Sequence, residues 1–448
     1  MQKEIIDELS NKKIVILGFG REGKATYDFI RKHFLDKEID VIDENIDILS
    51  DENKVYLEDM NLNVIKTSDY LKMLEEYDYI FKTPGISFKG KDISKIKDKI
   101  TSQLDMFIRF FNDKIKIIGI TGTKGKSTTS SMLYYILKNA SCNVHFLGNI
   151  GRPIFLELDQ INKGDIVVLE ISSHQSQYIK HSPSIGVILN VYEEHLDHYN
   201  SYDEYIDSKI NVIKYQKKGD TAIYLKDSYD LDRRLKNIKL QSNIIKLDLD
   251  SKDKFKYFDF YHKRNLLGEH NNYNIMVDLK ICEILNIDKN IVCESIYNFL
   301  PLEHRLEKVG QIDGITYYND SISTIPETAI ACIKTLKGLD TLIIGGLDRG
   351  VDYSHFEDYL INSDLKNIIC MYDTGKKIYD KIKDKLRDNM SAYYVFDLKN
   401  AVDMAKKVTK KGGICAMSPA AASYGDFKNF EQRGKMFKEF INNKKWVK

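Results

Sequence analysis

Two stretches, "KKIVILGFGREGKATYDFIRKHF" and "KIKIIGITGTKGKSTTSSML", each place an apolar run before a glycine turn and a helical pattern after it. A strand that turns directly into a helix cannot pair with the next strand as a hairpin. It crosses over to a parallel partner, so both stretches predict parallel sheets with helices on their faces. The strands "IDVIDEN" and "YDYIFKTPGI" follow the first stretch. "DIVVLEISS", "SIGVILNVY" and a helix over "SYDEYIDSKINVIKY" follow the second. A third group, "GITYYNDS", "DTLIIGGLDRG", "NIICMYDTG" and "GGICAMSPAAAS", repeats strands with turns at their C-terminal ends. The chain therefore reads as α/β in three successive units, over residues 1–100, 101–300 and 301–448. A length of 448 residues favours more than one core. Between the strands, Tyr224 to His262 is charged with only weak strand signals. "NNYNIMVDLKICEIL" reads as the helix closing the second unit, and "FLPLEHRLEKVG", with Pro301, as a linker into the third.

A net charge of +1 gives no global field for nucleic acid or an anionic membrane, and neither is expected as a partner. The six cysteines are scattered and none forms a CxxC pair, so redox and zinc motifs are unsupported and a reducing cytoplasm is expected. "MQKEIIDELSNKK" lacks an apolar signal core, and no apolar run approaches the roughly 20 residues that span a bilayer.

Both glycine turns suit phosphate, because successive backbone N–H groups at a helix start can cradle its oxygens. "GFGREG" holds Gly18, Gly20 and Gly23 as a full GxGxxG, and Asp43 ends the next strand where a ribose-binding acid would lie. Taken alone this admits NAD, another nucleotide, or a plain packing turn. "TGTKGKST" is more specific. It departs from GxxxxGK[ST] because Ile120 stands five residues before Gly125, but Gly122, Gly125, Lys126 and Ser127 remain, with Thr121, Thr123 and Thr128 around them. Lys126 suits the β- and γ-phosphates, and the Ser127 hydroxyl suits Mg2+. Glu170, at the end of an apolar strand, is a candidate hard-oxygen ligand beside the loop. His195 follows another strand end, and Lys209 lies fourteen residues on; on spacing alone, a structural histidine and a solvated lysine remain open.

Taken together and in order, "TGTKGKST", "LEISSHQ", "LNVYEEHLDH" with its following "SK", "GEHNNYN", "EHR", "NDS" and "SPAAASYGDFKNFEQRG" resemble the Mur ligases over nearly the whole chain. "GFGREG" and "FKNFEQRG" are most similar to the member that joins D-glutamate to UDP-N-acetylmuramoyl-L-alanine. The resemblance implies a Rossmann-like N-terminal domain for the UDP substrate, a central P-loop ATPase-type domain, and a Rossmann-like C-terminal domain that closes over ATP and carries the amino acid. It implies a cytoplasmic ATP-dependent ligase, expected to act as a monomer, in peptidoglycan precursor synthesis.

Carried over by motif, the resemblance implies ATP contacts at Gly122, Thr123, Lys124, Gly125, Lys126, Ser127, Thr128, Asn271, Asn274, Arg305 and Asp320. Gly18, Phe19, Gly20, Arg21, Glu22, Gly23, Asp43, Thr83, Gly85, Asn149, Ser172, Ser173 and Gln175 would face the UDP substrate. Thr324, Arg349, Ser423 and Phe430 would form the D-glutamate pocket. Two Mg2+ ions would be held by Ser127, Glu170, His195 and Lys209, the lysine as a CO2-derived carbamate, with Lys126, His195 and Lys209 as the catalytic set. Three positions depart from the family. Ile322 follows "NDS" where lysine is frequent, Arg349 alone answers a pocket lysine, and His174 stands where an apolar or aromatic residue is common.

The implied chemistry is phosphorylation of the substrate carboxylate by ATP, then attack of the amine on the acyl phosphate, with His195 or a phosphate oxygen taking the amine proton. A folate polyglutamate ligase shares this chemistry, but about 100 residues precede the P-loop here. The "FKNFEQRG" ending disfavours the Mur ligases that add other amino acids. An NAD-dependent dehydrogenase would leave "TGTKGKST" without a task, and a silent binding module would bind nucleotide without turnover.

Overall fold

The computed structural model describes residues 1–46, 50, 53–149, 152–226 and 229–442. They form three sheets. The first contains β1 (Ile14–Leu17), β2 (Ile39–Ile42), β3 (Leu62–Ile65), β4 (Tyr79–Lys82) and β5 (Ile100–Thr101), in the order β3-β2-β1-β4-β5 and all parallel. The second contains β6 (Lys116–Thr121), β7 (Val144–Gly148), β8 (Ile166–Glu170), β9 (Ile185–Ile188), β10 (Thr221–Leu225) and β11 (Asn243–Leu247), in the order β11-β10-β9-β6-β8-β7 and again all parallel. The third contains β12 (Glu307–Ile312), β13 (Ile315–Asn319), β14 (Leu339–Ile344), β15 (Asn367–Met371), β16 (Ser391–Val395) and β17 (Ile414–Met417), in the order β12-β13-β17-β14-β15-β16. Its strands are parallel except β12, which runs antiparallel to β13.

The strands that flank each glycine turn are apolar because helices cover both faces of a parallel sheet; β1, β9, β10 and β15 are buried along their whole length. In the helix Lys126–Asn139, Met132, Leu133, Ile136 and Leu137 fall on one stripe and are buried. In the helix Tyr202–Lys214, Ser201 caps the start by accepting from Glu204 N–H, and Tyr205, Ile206, Lys209, Ile210 and Ile213 are buried. Lys209 thus occupies a core register position.

Met1–His262 and His270–Tyr297 form one compact unit, which contains the first two sheets. Lys263–Glu269 and Asn298–Lys448 form another, around the third sheet. Three details differ from the sequence expectation. The weak tract after Tyr224 supplies the edge strand β11 of the second sheet. The stretch read as a linker already enters β12 at Glu307. A further helix, Lys289–Asn298, follows the one expected to close the second unit. These edge elements carry mixed polar and apolar residues because only part of each is covered.

Candidate functional site

β6 lies between β8 and β9, and the glycine turn leaves its carboxyl end, where ligands of open α/β sheets bind. Gly122 has φ +153° and Gly125 φ +90°, both in the region that favours glycine. A Cβ on Gly125 would sit 2.6 Å from Asn274 Oδ1, so the helix Asn271–Ile284 closes tightly against the turn. Asn274 also donates to Asn271 Oδ1 at 2.8 Å, which ties the two asparagines into one face beside the loop. The segment after β9 fastens the turn from the other side. Thr123 N–H donates to Asn190 O at 2.7 Å, and Lys124 N–H donates to Asn190 Oδ1 at 2.8 Å. Tyr192 N–H donates to Thr123 Oγ1 at 2.9 Å, and Lys124 Nζ pairs with Glu194. With these braces in place the loop is preorganised.

Two lysines converge on one carbonyl of this loop. Lys126 Nζ donates to Gly122 O at 2.8 Å and Thr123 O at 2.9 Å, and Lys209 Nζ donates to the same Gly122 O at 2.9 Å. Lys209 is 1% exposed, and its nitrogen lies 4.5 Å from the centre of the Tyr205 ring. Burial first, then the positive charge of Lys126, hold its amine well below the usual lysine range. A neutral amine is a nucleophile; an ammonium is not.

Glu170 is buried at the end of β8. Its Oε1 accepts from Asn149 Nδ2 at 2.8 Å, while the buried Oε2 has no hydrogen-bond partner among the described residues. An orphaned carboxylate oxygen is costly unless a cation or donor completes it. His195 has φ +60° and a half-exposed ring 4.7 Å from the His174 ring. Burial lowers its pKa, against the opposing pull of Glu194. His174, the departure from the family pattern, sits 4.1 Å from the His198 ring, and burial lowers it to about 3. Among the described residues no group of three or more His, Cys, Asp or Glu side chains is arranged for a metal.

The first glycine turn is held by its own neighbours. A Cβ on Gly18 would meet Thr83 Oγ1 at 2.1 Å, and one on Gly23 would meet Gly18 O at 2.1 Å. Asp43 Oδ2 accepts from Phe19 N–H at 2.8 Å, and Oδ1 accepts from Asn45 N–H at 2.9 Å. The Phe19 ring is buried edge-on against Tyr27 and Tyr56. Asp43, Phe19 and Thr83 thus shape the turn, whereas Gly20 and Gly85 have open space beside them. Arg21 donates to Asn149 O at 3.3 Å and Gln175 donates to Glu22 at 3.5 Å, so the turn meets residues that follow two strands of the second sheet. Burial pushes Glu22 up to about 7 and Lys82 down to about 8. Ser172 caps the short helix Ser173–Ser176 in a reciprocal box with Gln175.

The second unit holds Arg305, Asp320, Thr324, Arg349, Ser423 and Phe430. Asp320 is buried at the end of β13, accepting from Leu306 N–H at 3.0 Å, Ser323 Oγ at 2.5 Å and Ser418 Oγ at 2.7 Å; burial lifts its pKa to about 6. Arg349 is exposed and Ser423 buried. Residue-level reasoning passed over the brace behind this site. Arg433, fully buried, donates to Ser321 Oγ, Ser321 O and Ala421 O, and Ser321 Oγ donates to Phe430 O. Asn319 Nδ2 bridges His304 Nδ1 and Glu307, and a Cβ on Gly434 would lie 2.2 Å from His304 Nδ1. The fragments "EHR", "NDS" and "FEQRG" thus meet in one hydrogen-bonded lattice, a signal carried by their joint occurrence rather than by any one residue.

Residues 120–282 match the Mur ligase middle domain. A UDP-N-acetylmuramoylalanine–D-glutamate ligase of Clostridium kluyveri is 32% identical over 96% of this chain and 97% of its own length. Its counterpart in Clostridium acetobutylicum is 31% identical over 99% of both chains. Among solved structures, the UDP-N-acetylmuramate–alanine ligase of Thermotoga maritima superposes with a TM-score of 0.57 at 17% identity, covering 97% of this chain and 100% of its own. The MurF ligase of the same organism, solved in complex with ADP, gives 0.56 at 16%, covering 96% and 95%. The chain belongs to the Mur ligase family. Within it, these full-length clostridial relatives share one name, that of the ligase for D-glutamate.

Proposed function

We infer that this chain is the ATP-dependent ligase that joins D-glutamate to UDP-N-acetylmuramoyl-L-alanine in peptidoglycan precursor synthesis. The observation that carries the reading is the convergence of Lys126 and Lys209 on Gly122 O, at the mouth of a glycine turn on the central strand of a parallel sheet. A carboxylate has no leaving group for amide formation, so it is first phosphorylated. The chain's part is to align the terminal phosphate of ATP with the carboxylate and to offset the charge between them. Lys126 turns from the loop carbonyls to the phosphates, which the loop N–H groups also receive. Asn271 and Asn274 flank the base side, and Arg305 and Asp320 are assigned to ATP from the second unit.

Lys209 is assigned a carbamate. Its neutral amine attacks CO2, the N–C bond forms, and a proton leaves to solvent. The product is anionic, so it would be attracted to Lys126, whose charge opposes protonation of the free amine, and it would offer oxygen donors where the amine offers none. Ser127, Glu170, His195 and this carbamate suit two Mg2+ ions, which when bound supply positive charge to the crowded phosphates. A histidine committed to a cation has no free lone pair at its ligating nitrogen, so a phosphate oxygen is the better acceptor for the amine proton.

The UDP substrate is assigned to the first glycine turn with Asn149, Ser172, Ser173 and Gln175. D-glutamate is assigned to Thr324, Arg349, Ser423 and Phe430, the fork of Arg349 suiting a carboxylate. The domain limits 1–100, 101–300 and 301–448 are retained in this reading. So are a monomer and a cytoplasmic setting; among the described residues no helix is long and apolar enough to cross a membrane.

The test is phosphate release with UDP-N-acetylmuramoyl-L-alanine, ATP and Mg2+, comparing amino acids. D-glutamate is expected to stimulate release; stimulation only by L-alanine, a diamino acid or a dipeptide would move the chain to another branch.

A further inference from the structure

The segment between β9 and the helix Tyr202–Lys214 touches both nucleotide-facing regions of the first unit. Its beginning is fastened to the P-loop through Asn190 and Tyr192. Its end is fastened to the first sheet. Beyond β4 and the "TPG" turn, Ser87 Oγ donates to His198 O at 2.7 Å, Lys89 Nζ donates to Leu196 O, and Gly90 N–H donates to Asn200 Oδ1 at 2.8 Å. Between the two attachments stands His195, with its left-handed backbone. His198 and Tyr199 N–H both donate to His195 O, at 2.9 and 3.2 Å, so the turn that holds His195 is the one the first sheet grips.

The grip is built rather than incidental. Phe88 is 2% exposed and packs edge-on against Tyr178, which plugs the strap into the core between its two polar contacts. Ser87 Oγ also accepts from Lys89 N–H at 3.1 Å, fixing the strap's own turn. Asn200 is held in turn, its N–H and Nδ2 donating to Glu204 at 2.8 and 2.9 Å. A non-glycine residue at φ +60° persists only when its surroundings over-determine it. Here those surroundings come from two regions that serve different ligands.

We propose that Ser87 and Lys89 are positioning residues. They couple the UDP-substrate region to the phosphate region through residues 189–200, so that UDP-substrate binding sets His195 and tightens nucleotide binding at the P-loop. The proposal rests on the function inferred above. It requires that a ligand ordering the turn at Thr83–Gly85 also orders the strap that follows, and thereby His195. By reciprocity, nucleotide must tighten the UDP substrate by the same factor.

The test measures the affinity of a non-hydrolysable ATP analogue with Mg2+, with and without saturating UDP-N-acetylmuramoyl-L-alanine. It uses the full chain and the double variant Ser87→Ala/Lys89→Met. In the unsubstituted protein the UDP substrate is expected to tighten the analogue about fivefold or more, the lower end of measured couplings. In the double variant the factor falls to near one while each ligand still binds alone, and Ser87→Thr, which keeps the hydroxyl, retains the coupling. If the double variant does not fold, Ser87→Ala alone is expected to reduce the factor partially. A factor of one in the unsubstituted protein, or an unchanged factor in the variant, overturns the coupling but leaves the ligase reading standing. Failure of the unsubstituted protein to bind either ligand overturns both.

Discussion

Replacing Lys209 by methionine separates what the lysine costs the fold from what it contributes to the reaction. The lysine is 1% exposed, donates to Gly122 O at 2.9 Å and shares that oxygen with Lys126. Methionine keeps most of the stem and loses one hydrogen bond, about 1 kcal/mol net. Against this it removes a desolvated amine that can acquire charge only beside another cation. At pH 7 the unfolded lysine is protonated while burial keeps the folded amine neutral, so giving up that proton opposes folding of the unsubstituted chain, a cost methionine does not carry. The relief outweighs the loss, and in CO2-depleted buffer at pH 7 we expect stabilisation of about 1–2 kcal/mol. In a thermal melt the first unit's transition rises by about 2 °C per kcal/mol.

The pH dependence follows from the direction of the shift. The unfolded lysine titrates near the ordinary 10.5, the folded one well below it. Between those two values the unfolded chain binds the extra proton, so the stability of the unsubstituted protein rises with pH and levels off above about 10.5. The methionine variant lacks that rise, so its advantage shrinks as pH increases. If Lys209 carries the proposed carbamate, phosphate release should fall by about two orders of magnitude or more, because the proposed cation ligand would be lost. In Lys209→Ala, short carboxylic acids should restore part of it by entering the vacated space. A methionine variant that is less stable at pH 7, with an unchanged pH profile, would refute the burial argument. Full turnover would refute the carbamate.

Asp278 is fully buried and neither of its carboxylate oxygens has a partner among the described residues; burial raises its pKa well above 3.8. The folded chain therefore binds the extra proton above pH 3.8, stability declines as pH rises towards the folded value, and Asp278→Asn should remove that decline in thermal melts. Gly434→Ala drives a Cβ to 2.2 Å from His304 Nδ1 and should cost about 1–3 kcal/mol, seen in calorimetry as a lower transition for the second unit alone. Lys126→Ala should abolish phosphate release while circular dichroism and melting stay unchanged; retained turnover would remove the P-loop assignment. UDP-sugars should raise the melting transition, and NAD(H) should not; stabilisation by NAD(H) would revive a dehydrogenase.

The parallel sheets and the glycine turns were legible because strand, turn and helix leave different periodicities in the sequence. The burial of Lys209 was not read from the sequence, where spacing from His195 left a solvated lysine open, although the pattern around it held the signal. Tyr205, Ile206, Ile210 and Ile213 define an apolar stripe, and Lys209 lies inside it, where a lysine needs a special reason to be. The edge strand β11 was only weakly legible and β12 not at all, since edges pair on one side only and tolerate polar residues. Nor was the role of Arg433. Its three acceptors, from Ser321 and Ala421, lie 112 and 12 positions away, and no local pattern announces a guanidinium bound to neutral oxygens.

The two glycine turns show why a phosphate-loop motif does not name its ligand. Gly18 and Gly23 are required by contacts with Thr83 and with the turn's own carbonyl, and Gly125 by Asn274. In each case a protein atom fills the space a side chain would need, so the glycine would be required whatever the ligand. Asp43 makes the point more sharply. In a dinucleotide fold an acid at the end of the second strand selects a ribose. Here both of its oxygens accept backbone N–H groups from Phe19 and Asn45, so the same residue at the same spacing stiffens the turn. What separates this chain from an NAD enzyme therefore lies outside that motif. It is the second sheet, with two lysines on one carbonyl and an orphaned carboxylate oxygen at the next strand end.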